Sequence, residues 1–396
     1  MRLPILVLLA TSFVISWLLT FAMIRVAPRL GFVDRPGGRK IHANPKPLGG
    51  GVAIFLGIAI PMLIGLAVVN FGGERLIHRF ADQPQIHDLV AGGQYQTPLS
   101  LGLLASLLVM HAMGLVDDRK ALGPYLKLFA QLAVTAILVV GFRMRALTFL
   151  DNTAGLRALA PVPSVVLTVL WVVAITNAFN FLDNMDGLSA GVAAVAATAF
   201  LVTALSIGQW FVAATLALLL GALLGFLCFN FAPARIFMGD SGSLVIGFIL
   251  GVLTVRTTFL PADRQWGAGW YAVFAPVIVL AVPLYDLLVV SAIRMSRGKS
   301  PFVGDTNHFS HRLVARGMSR RTAVLCLYLI TAATSIAAIL LPHVRSTFAA
   351  VLIFAQTLLV LGVVALLEQH PLPAAYREEA PAAPPRDLLP EGEPSR

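Results

Sequence analysis

The chain has 396 residues, 58% of them hydrophobic and only 12% charged, with a mean hydropathy of +0.84. Soluble domains carry nearer ~25% charged residues, which excludes a single soluble globule. A formal net charge of +10 would point to nucleic acid on a soluble chain, but on so apolar a chain Lys and Arg anchor loops beside anionic lipid, and the membrane replaces nucleic acid as the expected partner.

The fold class expected is all-α: a polytopic membrane protein of about eleven helices by the ~20-residue criterion for crossing a bilayer. The apolar runs lie near residues 3–24, 48–70, 98–116, 126–142, 164–181, 189–206, 210–229, 242–259, 270–293, 322–341 and 346–367. The first has one upstream charge, Arg2, and is followed by Arg25, Arg29, Arg35, Arg39, Lys40 and Lys46. A cleaved signal has its basic end first, so this run reads as a retained span with its N-terminus outside. Loops then alternate sides. The set holding 25–47, 117–125, 182–188, 230–241, 294–321 and the tail carries most of the Lys and Arg, and the positive-inside rule makes it cytoplasmic. Residues 71–97 read as a polar outer loop. Residues 1–370 form one membrane domain, and 371–396, rich in Pro, Ala, Glu and Arg, read as a disordered cytoplasmic tail. Cys228 and Cys326 both fall inside apolar runs and read as packing residues.

Every polar cluster of chemical interest falls in the cytoplasmic set. The first is Arg35-Pro-Gly-Gly-Arg39-Lys40-Ile-His42, followed by Lys46 and Gly49-Gly50-Gly51; basic side chains on flexible backbone suit phosphate. The second is Asp117-Asp118-Arg119-Lys120, with Lys127 and Gln131 downstream. Adjacent aspartates at the end of an apolar helix repel each other, and a divalent cation or a shared proton would explain them. The third runs Asn177-Ala-Phe-Asn180-Phe-Leu-Asp183-Asn184-Met-Asp186-Gly187. At ~100° per residue Asn177 and Asp186 cannot share one helix face, so Asn177 and Asn180 should end a helix and Asp183 and Asp186 lie in the turn after it. Carboxylates this near hydrocarbon are expensive and usually functional. The fourth is Asn230 to Ser243, in which Asp240 precedes a new helix and reads as an N-cap or as a metal ligand at a phosphate-binding helix mouth. The fifth gathers Asp286, Arg294, Arg297, Lys299, Asp305, His308, His311 and Arg312. Zinc would want softer ligands than these, and two histidines beside Arg312 suit pyrophosphate. Hard oxygen donors with cationic clamps at one membrane face point to Mg²⁺ or Mn²⁺ and to phosphoryl transfer, one substrate being a lipid phosphate.

In this order the five clusters, above all Asp117-Asp118, Asn180/Asp183/Asp186-Gly187 and Phe237-Met-Gly239-Asp240-Ser241-Gly242, resemble the polyprenyl-phosphate N-acetylhexosamine-1-phosphate transferase family over roughly residues 20–320. The resemblance implies transfer of a sugar 1-phosphate from a UDP-sugar to a polyprenyl phosphate with release of UMP, in the plasma membrane, and it allows a homodimer. It further implies that Asp240, with Asp117, holds Mg²⁺, and that Asp117 and Asp118 are the catalytic pair. Asn180, Asp183 and Asp186 would wall the nucleotide site, Asn230 and Phe237 lie near the uridine, and Lys127 serve the phosphates. His308 and His311 match the outer histidines of the last cytoplasmic loop. Lys299, Arg312 and His42 add positive charge for the substrates. Ser310 stands where the aminosugar branch usually has a histidine, and the three consecutive histidines of the muramoyl-pentapeptide branch are missing. The expected donor is therefore UDP-N-acetylglucosamine or a close relative, with little contribution from Ser310.

Overall fold

A computed structural model describes residues 2–34, 45–147, 151, 159–257, 270–300, 307–344 and 346–369. Its helices are α1 (Arg2–Arg29), α2 (Gly50–Phe71), α3 (Gly73–Arg79), α4 (Pro84–Arg119), α5 (Pro124–Gly141), α6 (Val162–Leu182), α7 (Leu188–Ser206), α8 (Trp210–Asn230), α9 (Asp240–Arg256), α10 (Ala275–Val279), α11 (Ala281–Ser296), α12 (Phe309–Ala315), α13 (Arg320–Leu340) and α14 (Thr347–Gln369). Among the described residues the one strand pairing is a two-residue antiparallel contact of β1 (Val33–Asp34) with β2 (Lys46–Pro47). His42 and the tail from 371 lie outside the described residues.

Each of the eleven apolar runs has a helical counterpart. Among the described residues nine helices are long and apolar enough to cross a membrane. A tenth run, expected as one span over 270–293, is broken: the segment ending at Val279 and α11 meet at 70°. Pro283, in the first turn of α11, has no N–H to carry the ladder back to the Val279 carbonyl across the break. The eleventh is α9. Its 17 residues reach ~26 Å, at the short end of what crosses a bilayer, and it lies in the protein interior, with every residue from Ser241 to Thr254 buried. The polar stretch 71–97 is largely helical too, contrary to the loop expected. Pro84 starts α4, Pro98 sits within it without ending it, and its 36 residues are nearly twice what a ~30 Å hydrocarbon core requires.

Small residues let the central helices touch. Ser12 and Ser16 of α1 donate to the carbonyls of Leu218 and Ala222 on α8 at 2.6 and 2.7 Å. Close approach through small residues and interhelical hydrogen bonds replaces the hydrophobic drive that lipid cannot supply. The outer helices present apolar side chains such as Leu6, Phe129, Ile137, Leu329 and Leu358 outward, as lipid contact requires. At one end of the bundle three backbones converge. A side chain at Gly114 of α4 would collide with the Ser241 backbone at 2.4 Å, and one at Gly51 of α2 with the Gly242 nitrogen at 2.4 Å. These glycines bring the ends of α4 and α2 onto the first turn of α9.

Candidate active site

The site forms where α4, α6 and α9 meet, with the start of α5 beside them. Asp118, in the last turn of α4, accepts hydrogen bonds from the backbone N–H groups of Asp240 at 2.7 Å and Ser241 at 3.2 Å. Those N–H groups are orphan donors of the first turn of α9 and carry its positive dipole end. Asp240 is therefore the first residue of α9, while its cap is supplied by Asp118 from another helix. The two adjacent aspartates, expected to act as a pair, have separate tasks. Asp117 accepts from the Leu122 N–H at 2.7 Å and from the Lys127 ammonium at 3.1 Å.

Lys127 is the hinge of the cluster. Its Nζ lies 3.1 Å from Asp117 Oδ2 and 3.0 Å from Asp240 Oδ2, so one ammonium bridges two carboxylates from different helices. Asn180 Nδ2 holds the other oxygen of Asp240 at 3.0 Å and reaches Ser243 Oγ at 2.9 Å. One turn earlier on α6, Asn177 donates to the side-chain oxygen of buried Gln131 at 2.6 Å, well away from Asp186, as the helical drift requires. Asp183 caps the end of α6. Loss of water, followed by the negative charges of Asp240, Asp118 and Asp186, raises its carboxyl well above the usual range. That is the behaviour of an acidic cluster short of positive charge.

The donor set bears on a metal ion. Among the described residues no three His, Cys, Asp or Glu side chains form a ready-made metal cage. Asp117 and Asp240 do offer two hard oxygens to one point, now met by the Lys127 ammonium. Mg²⁺ is usually held by one or two carboxylates, with water and substrate phosphates completing its shell. Asp117 and Asp240 fit that pattern, whereas Asp118 has both oxygens on α9.

Other residues expected at the site act on the backbone. Asn230 is buried; its Oδ1 accepts from the Gly187 N–H at 3.0 Å and its Nδ2 donates to the Ile236 carbonyl at 2.9 Å. Asp186 accepts from the Ala234 N–H at 2.9 Å. Together they fasten the turn after α6 to the 231–239 segment. That turn ends at Gly187, whose φ of +76° suits glycine and whose carbonyl accepts from Tyr328 of α13. Phe237 is half-buried, with its N–H on the Pro47 carbonyl and its own carbonyl accepting from Gly50. Lys299 is exposed just beyond α11.

The histidine segment forms α12. His308 is buried and its Nδ1 lies 2.8 Å from Asp286 Oδ2, while Asp286 Oδ1 accepts from the Phe309 N–H at 2.6 Å. Arg294 approaches His308 Nε2 at 3.4 Å. Guanidinium only donates, so Nε2 is the acceptor and Nδ1 carries the proton. His311 follows one turn on, its ring 6.3 Å from that of His308. Arg312 departs from the expected phosphate role: it pairs with Glu368 of α14 at 3.0 Å and donates to the Asn307 carbonyl. Ser310 departs as well. It is fully buried and donates to Asn184 Oδ1, joining α12 to the turn after α6. Replacing Ser310 with Ala should lower stability by ~0.5–1.5 kcal/mol, the net worth of one hydrogen bond to the half-buried Asn184. An unchanged thermal unfolding midpoint would show that the two segments dock without this bond.

Sequence reasoning named Asp286 without giving it a role, placed Arg294 among the cations that offset substrate charge, quoted Asn184 and Ser243 only as members of their clusters, and passed over Glu368. A carboxylate inside an apolar run was the available signal for Asp286. Asn184 and Ser243 matter only through partners far away in sequence.

Fold and site together define a multi-pass membrane protein with an acidic, amide-lined centre at one end of its helix bundle. Residues 100–258 match the model of Glycosyl transferase family 4. The chain is 32% identical over 342 residues, 84% of its length and 85% of the relative's, to the probable undecaprenyl-phosphate N-acetylglucosaminyl 1-phosphate transferase of Bacillus subtilis strain 168. It is 33% identical over 333 residues, 81% of its length and 77% of the relative's, to the decaprenyl-phosphate N-acetylglucosaminephosphotransferase of Mycolicibacterium smegmatis. The undecaprenyl-phosphate alpha-N-acetylglucosaminyl 1-phosphate transferase of Escherichia coli K12 is 28% identical over 335 residues, 82% of this chain and 80% of its own. The chain belongs to glycosyl transferase family 4, alongside these polyprenyl-phosphate transferases.

Proposed function

We propose that this protein transfers N-acetylglucosamine 1-phosphate from UDP-N-acetylglucosamine to a polyprenyl phosphate at the cytoplasmic face of the plasma membrane. The relatives' shared activity supports the reaction class. The observation that carries the mechanism is the single ammonium of Lys127 held between Asp117 and Asp240. An oxygen of the lipid phosphate attacks the sugar-linked phosphorus, the bond from that phosphorus to the bridging oxygen breaks, and UMP leaves with the electron pair. The product is a sugar linked to the lipid through a diphosphate. We favour direct attack, because both oxygens of Asp118 are engaged with α9 and a nucleophilic Asp118 would release that helix end. Asp117, with one oxygen on the Leu122 N–H and the other on Lys127, holds that ammonium beside Asp240. Asn180 fixes the orientation of Asp240, and Lys127 offsets charge on the phosphates. Mg²⁺, when bound by Asp240 and Asp117, would supply neutralisation of the pyrophosphate charge. His308, oriented by Asp286, presents Nε2 beside Arg294 at the edge of the site.

The excess of Lys and Arg in the loops at this end supports a cytoplasmic orientation, on which reporter fusions at Gly155 and Arg316 should report opposite sides. The reaction is tested with purified protein, Mg²⁺, a polyprenyl phosphate and a panel of UDP-sugars, following UMP. With UDP-N-acetylglucosamine and UDP-muramoyl-pentapeptide at equal concentration, the first should be consumed. Preferential use of the pentapeptide donor would overturn the donor assignment.

A further inference from the structure

The last membrane helix, α14, is lined by outward-facing apolar side chains, among them Phe348, Leu352, Leu359 and Leu366. Its one charged residue is Glu368, which is only 7% exposed. A carboxylate buried at the end of a lipid-facing helix is costly unless partnered, and such residues are usually functional. Glu368 has a partner on each oxygen. Oε1 accepts from Arg312 of α12 at 3.0 Å, and Oε2 accepts from the Tyr285 hydroxyl of α11 at 3.3 Å.

Each partner is next to one half of the buried histidine pair. Tyr285 directly precedes Asp286, and its ring packs edge-on against Phe309 with centroids 5.5 Å apart. Arg312 donates to the carbonyl of Asn307, the residue preceding His308. One carboxylate thus braces Asp286 from the α11 side and His308 from the α12 side. Arg312 has one terminal nitrogen on Glu368 and the other on Asn307, which accounts for its departure from the phosphate role.

From this geometry we infer that Glu368 is a positioning residue for the transfer reaction, acting through Arg312 and Tyr285 to hold α12 in register with α11. The inference rests on the proposed reaction only for its kinetic consequence; the brace itself is a property of the fold. Loss of the brace lets α12 shift by a fraction of a turn. The wall formed by Asn180 and Asp240 is untouched, so nucleotide affinity should survive while turnover falls.

The test uses the full-length protein in detergent or nanodiscs, with Glu368→Gln, Glu368→Ala and Glu368→Asp. Amide hydrogen exchange over residues 307–315 reads the brace without reference to activity. In Glu368→Gln, exchange there should rise about tenfold through loss of a charge-assisted hydrogen bond, with the unfolding midpoint close to wild type. For Glu368→Gln and Glu368→Ala, kcat should fall about 10- to 100-fold, the usual cost of slight misplacement, with KM for the UDP-sugar within about threefold. Glu368→Asp should recover part of kcat. Unchanged exchange at α12 in both Gln and Ala variants would overturn the inference. So would a loss of kcat matched by an even rise of exchange across the whole chain. Increased exchange at α12 in a protein whose wild type releases no UMP from any UDP-sugar would support the brace and overturn the proposed reaction instead.

Discussion

Asp240→Asn is expected to reduce UMP release by ~10³-fold while the protein stays folded. The substitution keeps the shape of the side chain and removes its charge. Asn180 can still donate to the remaining amide oxygen, but the new NH₂ group then faces the Lys127 ammonium where Oδ2 had been, placing donor against donor. The bridge from Lys127 to α9 opens, and the charged hard oxygen offered to a divalent cation disappears. The Asp118 cap acts on backbone N–H groups and is unaffected, so α9 should keep its position. Initial rates of UMP release, measured beside the unfolding midpoint of the same preparation, check this. A rate within about threefold of wild type would remove Asp240 from the chemistry.

Asp286→Ala is expected to be the most damaging change outside the carboxylate cluster. Asp286 is fully buried, and its two oxygens serve His308 Nδ1 and the Phe309 N–H. Removing the shared acceptor leaves two buried donors unsatisfied, at ~1–3 kcal/mol for each. The start of α12 then lacks an acceptor for its first N–H, and the ring of His308 is free to rotate. Turnover should fall with stability. Asp286→Asn separates the two effects. Its amide can still cap Phe309, but its NH₂ opposes the proton on Nδ1 and favours the other tautomer, which would point an N–H at Arg294. Its midpoint should lie between those of wild type and Asp286→Ala, with kcat as low as in the alanine variant. An Asp286→Ala protein that unfolds at the wild-type midpoint would show that α12 does not depend on this pair.

The course of the chain was legible because its local signals agree. The apolar runs are long and separated by charged or Gly-rich turns, so length alone located the spans. The end of α6 after Asn180, with Asp183 to Gly187 as a turn, followed from the angular drift of a helix. The break between α10 and α11 was written in Pro283, but a hydropathy count smooths over a proline inside an apolar run. The helical nature of 71–97 was hidden for the opposite reason, since polarity alone does not distinguish a solvated helix from irregular structure.

The site was legible as a list of residues and much less as a set of roles. Residue type and order by themselves determined that the protein lives in a membrane and that its acids, amides and cations collect at helix ends; that Asp117, Asp240 and Asn180 belong together was implied by the family resemblance. Only the tertiary structure decided which side chains face one another: Asp118 caps a helix more than a hundred residues away, Asn230 and Asp186 hold backbone, Ser310 docks on Asn184, and Arg312 turns to Glu368. Hydropathy and helix periodicity act within a few turns of chain and so can be read from the sequence. A hydrogen bond between α4 and α9, or between α12 and α14, depends on the rotation and depth of each helix in the bundle. Close packing at Gly51, Gly114 and their neighbours sets those quantities, and no local stretch encodes them alone.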